Sequence, residues 1–319
     1  MKSDKILQNL LVKIQKYLTR DDVSEIILHE IGIVRLDTIK GFKEIKDSNI
    51  TFEFLEDLPF QIATFTDQQF NSKYIILSSN IPGTNFRVTA THRSCLQRNC
   101  NSILIRKPLG VEFKLEDYID KKEDIDLIKS LATVGKNVLI VGGTGTGKTS
   151  FINQMIKLIP MHQRIVTIQD SAELIIPHKN KDELIVSKNG SKNSNLDYKG
   201  ALDICMRLRP DRVFLGEIDS VNTLAFLRLG NTGHKGMLST LHTDSPNDTL
   251  NALQLNLMLG GFAANKEALN GFIASAIDYV IKIQKFENID SKGTVSKEVK
   301  VIAIKTIKEI LEEEGNKSC

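Results

Sequence analysis

The sequence predicts an α/β chain in two parts: a mostly parallel sheet with helices on both faces, preceded by a smaller α+β domain with a mostly antiparallel sheet. Three observations carry this. Apolar runs alternate with helical segments after residue 125. Short stretches of period-two hydrophobicity fill residues 30–106. One apolar run ends in a glycine-rich loop that opens directly into a helix. A length of 319 residues suits two domains, and 41% hydrophobic with 25% charged residues excludes wholesale disorder.

Taken in order, Leu7, Leu10, Leu11, Ile14 and Leu18 recur at helical spacing, with Ser3 or Asp4 as a cap. Such an amphipathic helix either lies on a membrane or packs on its own domain, and the second reading is the simpler. The segments 31–36, 51–55, 73–79, 86–92 and 102–107 read as short strands, with a turn at Pro82-Gly83. Arg106-Lys107-Pro108-Leu109-Gly110 breaks the pattern, and a charge run follows that reads as a solvated helix face. The domains are therefore expected at 1–106 and 118–319, with a linker over 107–117. Beyond it, KNVLIVGG, RIVTIQD, DRVFLGE and GMLSTLH read as strands separated by helical segments. DYVIKIQKF and KEVKVIAIKTI read as a final hairpin around a Lys-Gly turn that extends the same sheet, and the tail EEEGNKSC as frayed.

Composition excludes several classes. There are 42 Lys+Arg against 39 Asp+Glu, no Trp, 5 Tyr and 14 Phe, so neither a strongly basic footprint nor a base-stacking platform is favoured. No direct nucleic-acid partner is expected. No run of 18 apolar residues occurs, and the charges in the first eighteen residues argue against an export signal. Cys95, Cys100, Cys205 and Cys319 form no CxxC pair, which counts against zinc and dithiol chemistry and fits a reducing cytoplasm.

The strongest motif is Gly142-Gly143-Thr144-Gly145-Thr146-Gly147-Lys148-Thr149, a G-x-x-x-x-G-K-T phosphate-binding loop, followed by Ser150. Its glycines let backbone N–H groups turn inward around phosphates, and the following helix points its positive end at the same anion. Lys148 supplies a point charge, and the Thr149 hydroxyl is placed for Mg²⁺. ATP and Mg²⁺ are the expected cofactors. Alone, such a loop defines only a nucleotide-binding class. Three later strand ends carry polar groups: Asp170 to Glu173, Gly216-Glu217, and His242. The C-terminal ends of parallel strands border the ligand crevice, so these should converge on the phosphates. Glu173 and Glu217 are the candidates to orient water and hold Mg²⁺, and His242 is the candidate phosphate sensor. Arg207, Arg209 and Arg212 crowd the segment before Glu217. They either pair with acids such as Asp211 or, for Arg207 or Arg209, cross a subunit boundary as an arginine finger.

GGTGTGKT, RIVTIQDSAEL, RLRPDRVFLGE and TGHKGMLSTLH, in that order, resemble the VirB11 ATPases of type IV secretion, and more broadly the secretion and pilus ATPases with Walker A, Asp-box, Walker B and His-box motifs. The resemblance is strong over about 125–285. It implies a RecA-like P-loop core, with Lys148 and Thr149 as the Walker A pair, Glu173 as the catalytic Asp-box glutamate, Glu217 as the Walker B acid and His242 as the His-box histidine. It further implies that Arg87 and Arg106 of the N-terminal domain reach the nucleotide. Two departures stand out: Gln169 replaces a usual Asp-box glutamate, and Thr243 replaces a frequent alanine. Lack of a CxxC pair favours the VirB11 branch. The implied function is an ATP-hydrolysing hexameric motor of a type IV secretion, conjugation or DNA-uptake apparatus. It would sit in the cytoplasm, peripherally at the inner membrane, on cytoplasmic faces of membrane-embedded secretion components. Alternatives are a pilus assembly or retraction motor, a nucleic-acid-dependent translocase, or a nucleotide-switched scaffold.

Overall fold

A computed structural model describes residues 2–107, 113–170, 172–186, 196–289 and 295–317, which fall into two units. The first takes in 2–107 with 287–289 and 295–297, and the second takes in the rest. Residues 108–112 of the expected 107–117 linker, the expected Lys-Gly turn and Cys319 lie outside the described residues.

The first unit contains α1 (Lys2–Leu18), β1 (Val23–Glu30), β2 (Ile33–Thr38), β3 (Gly41–Lys46), α2 (Phe52–Phe65), β4 (Ile76–Asn80), β5 (Arg87–Thr91) and β6 (Ser102–Arg106). Its sheet runs β3-β2-β1-β6-β5-β4, each neighbour antiparallel. One face carries α1 and α2. Leu7, Leu10, Leu11, Ile14 and Leu18 are all buried in that core, so α1 packs on its own domain. The helix begins at Lys2, which puts Ser3 and Asp4 inside its first turn instead of at a cap.

Residues 51–55, expected as a strand, instead open α2. Thr51 caps the helix by accepting from the Phe54 amide at 3.1 Å. Phe54, Leu55, Leu58 and Ile62 then fall on one buried helical face. The short Phe-Glu-Phe alternation fits either period, and the longer register decides it. Two strands, β1 and β3, escaped the sequence reading.

Asp47 ties this unit together. Its side chain is only 3% exposed. It accepts from Tyr17 Oη at 2.7 Å, from Lys16 Nζ at 2.9 Å and from the Asn49 amide and side chain at 3.0 and 2.9 Å. Burial opposes its charge, but these donors prevail and hold the carboxyl at about 2. A depressed carboxyl pKa stabilises the fold above its unfolded value and loses that contribution as pH falls through the folded one. Asp47→Ala should therefore cost about 3 kcal/mol at pH 7, since it orphans Tyr17 and Asn49. The difference from wild type should shrink between pH 4 and pH 2 in urea titrations of the full chain followed by circular dichroism.

The second unit contains α3 (Leu115–Tyr118), α4 (Lys122–Val134), β7 (Val138–Val141), α5 (Lys148–Lys157), β8 (Ile165–Gln169), β9 (Lys181–Ile185), α6 (Tyr198–Leu208), β10 (Arg212–Leu215), α7 (Thr223–Asn231), β11 (Leu238–Leu241), α8 (Thr249–Leu259), α9 (Lys266–Ala276), β12 (Tyr279–Ile289), β13 (Val295–Thr306) and α10 (Ile307–Lys317). The sheet order is β13-β12-β7-β11-β10-β8-β9, with β12 through β9 parallel. Helices cover both faces, as the alternation of β7 shows. Val138 and Ile140 join the cluster with α3, α4 and α5, whereas Leu139 and Val141 join the cluster with α6 to α9. β9 was not foreseen in the sequence. The residues expected as a frayed tail belong to α10 as far as Lys317.

Candidate active site

Register places the site. Parallel pairing sets Leu241 of β11 and Lys282 of β12 beside Val141 of β7, so the residues after β7 and β11 emerge together at the C-terminal edge of the sheet. The loop 142–147 begins there and α5 follows it. Gly142 has no room for a side chain, because a Cβ would lie 2.6 Å from the Ile283 carbonyl oxygen and 2.8 Å from Thr146 Oγ1. Gly147 has φ +80, a conformation open to glycine at little cost. Thr146 Oγ1 donates to the Gly143 carbonyl at 2.9 Å and braces the turn. Lys148, Thr149 and Ser150 form the first turn of α5, whose N–H groups have no intrahelical acceptor and face the loop. Gly142, Gly143, Thr144, Gly145, Thr146 and Gly147 thus form one cradle with that helix end.

Lys148 is only 7% exposed and its ammonium is fully engaged. It donates to the Gly142 and Gly143 carbonyls, both at 2.8 Å, and contacts His242 Nδ1 at 3.3 Å. Burial, aided by the nearby Lys282 charge and opposed by Glu217, lowers its pKa to about 8. An ammonium has no lone pair, so Nδ1 accepts and His242 Nε2 carries the proton. That nitrogen lies 2.9 Å from Glu217 Oε1. A relay therefore runs Lys148 to His242 to Glu217, joining three of the residues expected from the sequence.

Glu173 meets the same site from β8. Its Oε2 accepts from Thr149 Oγ1 at 3.3 Å. Its position is set by two residues that sequence reasoning did not use. Gln169, 1% exposed, accepts from the Glu173 and Leu174 amides at 2.9 and 2.8 Å, and its own amide donates to Thr167 at 3.3 Å. Asn153 donates to the Glu173 carbonyl at 3.2 Å and accepts from the Ile175 amide at 2.9 Å. The glutamine that departs from the usual Asp box is thus a backbone clamp that aims Glu173. Asn222, fully buried, donates to the Glu217 carbonyl at 2.9 Å. All three clamps act across long sequence separations or through backbone atoms, where spacing carries no signal.

The arginines lie elsewhere. Arg207 is in the last turn of α6, and Arg209 caps that helix with φ 52. Both are exposed. They lead into Arg212, which pairs in register with Ile165 at the start of β8, the end of the sheet opposite the phosphate loop. Neither joins Lys148, Glu173, Glu217 or His242 within this chain. Arg212 is a core residue. It donates to Gln163 at 2.7 Å and to the Thr133 carbonyl at 3.2 Å, while Asp211 is engaged by the Arg164 amide at 2.7 Å. In the first unit, Arg87 of β5 stands directly opposite Arg106 of β6, and Arg106 Nε donates to Glu25 at 2.9 Å.

The residues suit a nucleotide and Mg²⁺. The cradle has no room for a side chain at Gly142, and its cation and helix end favour an anion. The nearby donors are hard oxygens, from Thr149, Glu173 and Glu217. Among the described residues no cluster of three or more His, Cys, Asp or Glu side chains is placed to hold a metal. Mg²⁺ needs no such cluster, because it binds through one or two protein oxygens with phosphates and water.

A P-loop ATPase is the class this fold and site define. The profile of the family described as Type II/IV secretion system protein matches residues 80–319, and the chain belongs to that family. Among relatives, the type IV secretion system protein VirB11 of Bartonella henselae is 27% identical, covering 89% of this chain and 92% of that one. Among solved structures, the pilus retraction motor PilT with bound ADP aligns with TM-score 0.63 at 19% identity, covering 96% and 86% of the two chains. The ATPase DotB of Legionella pneumophila aligns with TM-score 0.61 at 16% identity, covering 92% and 79%. At such identities the structures speak for the fold, a RecA-like core. The chain is a VirB11-like secretion-system ATPase.

Proposed function

We propose that this protein is a hexameric ring motor that hydrolyses ATP to energise a type IV secretion, conjugation or DNA-uptake apparatus. The relay from Lys148 through His242 to Glu217, set on a phosphate cradle, is the observation that carries the reading. A bound γ-phosphate competes for the Lys148 ammonium. Lys148 then releases the Gly142 and Gly143 carbonyls and His242 Nδ1, and the freed imidazole reports the phosphate to Glu217 and to its own turn. Glu173 orients and deprotonates the attacking water. Thr149 and Glu217 would hold Mg²⁺, which would supply charge neutralisation on the phosphates. Arg87 and Arg106 contribute guanidinium groups from the N-terminal domain (1–106), and Arg207 or Arg209 serves a neighbouring subunit's site.

The proposed place of work is the cytoplasmic face of the inner membrane, on membrane-embedded components of the apparatus. Among the described residues, no helix is long and apolar enough to cross a membrane. If the ring is the active form, specific ATPase activity rises with protein concentration and levels off as mass by light scattering reaches the assembled value. Single-stranded DNA leaves the rate unchanged. Constant specific activity at every dilution contradicts the ring, and stimulation by DNA favours a translocase.

A further inference from the structure

Lys282 played no part in the sequence reading, yet it is 5% exposed and lies at the phosphate edge of the sheet. It is on β12, in register with Val141, the residue immediately before the cradle. β11 flanks β7 on the other side, also with Leu241 opposite Val141. Strands are spaced about 4.8 Å apart, so β12 and β11 stand about 10 Å from each other across the end of β7. The lysine side chain bridges that gap. Its Nζ donates to the Thr243 carbonyl at 3.2 Å, directly after His242. Thr243, itself 9% exposed, closes the turn from the other side by donating its hydroxyl to the Ser245 carbonyl at 3.0 Å.

A buried ammonium with one neutral acceptor is costly, and a second buried cation, Lys148, lies within electrostatic reach. Packing alone favours an apolar side chain at this position. The arrangement is economical only if the strut does something an apolar residue cannot.

We propose that Lys282 is a positioning residue of the ATPase site: by holding the Thr243 carbonyl across the P-loop strand, it keeps the His242 ring on Lys148 and Glu217, where it responds to the terminal phosphate. This rests on the phosphate-sensing role of His242 given above. It separates Lys282 from a second phosphate ligand, which would act on nucleotide affinity independently of His242.

The test is a double-mutant cycle on the full chain with Lys282→Met, His242→Ala and the pair, plus Lys282→Arg, reading kcat and KM for ATP and the affinity for a fluorescent ADP analogue. Lys282→Met should lower kcat about tenfold with ADP affinity within twofold of wild type, the scale of a misplaced catalytic group. Lys282→Arg should restore at least half the rate. In the His242→Ala background, Lys282→Met should cost no more than a further twofold. Additive losses, or a loss confined to KM and ADP affinity, overturn the proposal. If Lys282→Met does not fold, Lys282→Gln takes its place under the same criteria. Full activity of His242→Ala alone overturns the phosphate-sensing reading and this inference together, whereas a loss in His242→Ala with additive behaviour in the pair overturns only the inference.

Discussion

Lys148→Ala should abolish ATP hydrolysis, with kcat/KM down by at least about 100-fold, while the fold is retained. The side chain makes all three of its hydrogen bonds to groups of the site: two loop carbonyls and His242. It contributes nothing to either apolar cluster of the second unit. Truncation therefore removes a cation from the phosphates and breaks the relay to Glu217, but leaves the sheet intact. The loss should appear in nucleotide affinity as well as in turnover, because the ammonium binds ground-state phosphates and the transition state alike. Circular dichroism and thermal midpoint serve as controls. A rate within twofold of wild type in a folded variant would remove this loop from the chemistry.

Glu173→Gln has the second large effect and a different signature. Turnover should fall about 100-fold or more, since an amide cannot take a proton from water. Affinity for ATP should stay within about threefold. The replacement keeps the shape of the side chain, and the backbone at 173 remains held by Gln169 and Asn153. Single-turnover and equilibrium binding measurements separate the two quantities. An unchanged rate would transfer water activation to Glu217.

The legible part of this molecule is the part written in local pattern. The loop 142–149, its preceding strand and its following helix are contiguous, so glycine spacing and hydrophobic runs sufficed. Glu173, Glu217 and His242 were legible because each follows an apolar strand, and parallel strands end on one side. The resemblance to VirB11 ATPases added their roles. What stayed hidden depends on register between distant strands. Nothing in DYVIKIQKF says that it lies parallel to β7, so Lys282 looked like one more polar residue of a hairpin. Gln169 looked like a lost carboxylate because its work is done on backbone amides four and five residues later. The α2 error has the same root on a smaller scale. Five residues fit both periods, and the Thr51 cap with Leu58 and Ile62 decides between them.

Arg207 and Arg209 give the account its sharpest exposure. They stand at the edge of the sheet away from the phosphate cradle, so if either finishes phosphoryl transfer it does so in a neighbouring subunit. The most direct test mixes two inactive proteins. Lys148→Ala subunits keep the arginines, and Arg207→Ala/Arg209→Ala subunits keep the cradle. Each alone should be nearly silent, and an equimolar mixture should recover a measurable fraction of the wild-type rate per intact site as rings exchange subunits. A mixture no faster than the sum of its parts, with mixed rings confirmed by mass, contradicts a shared site and confines catalysis to one chain.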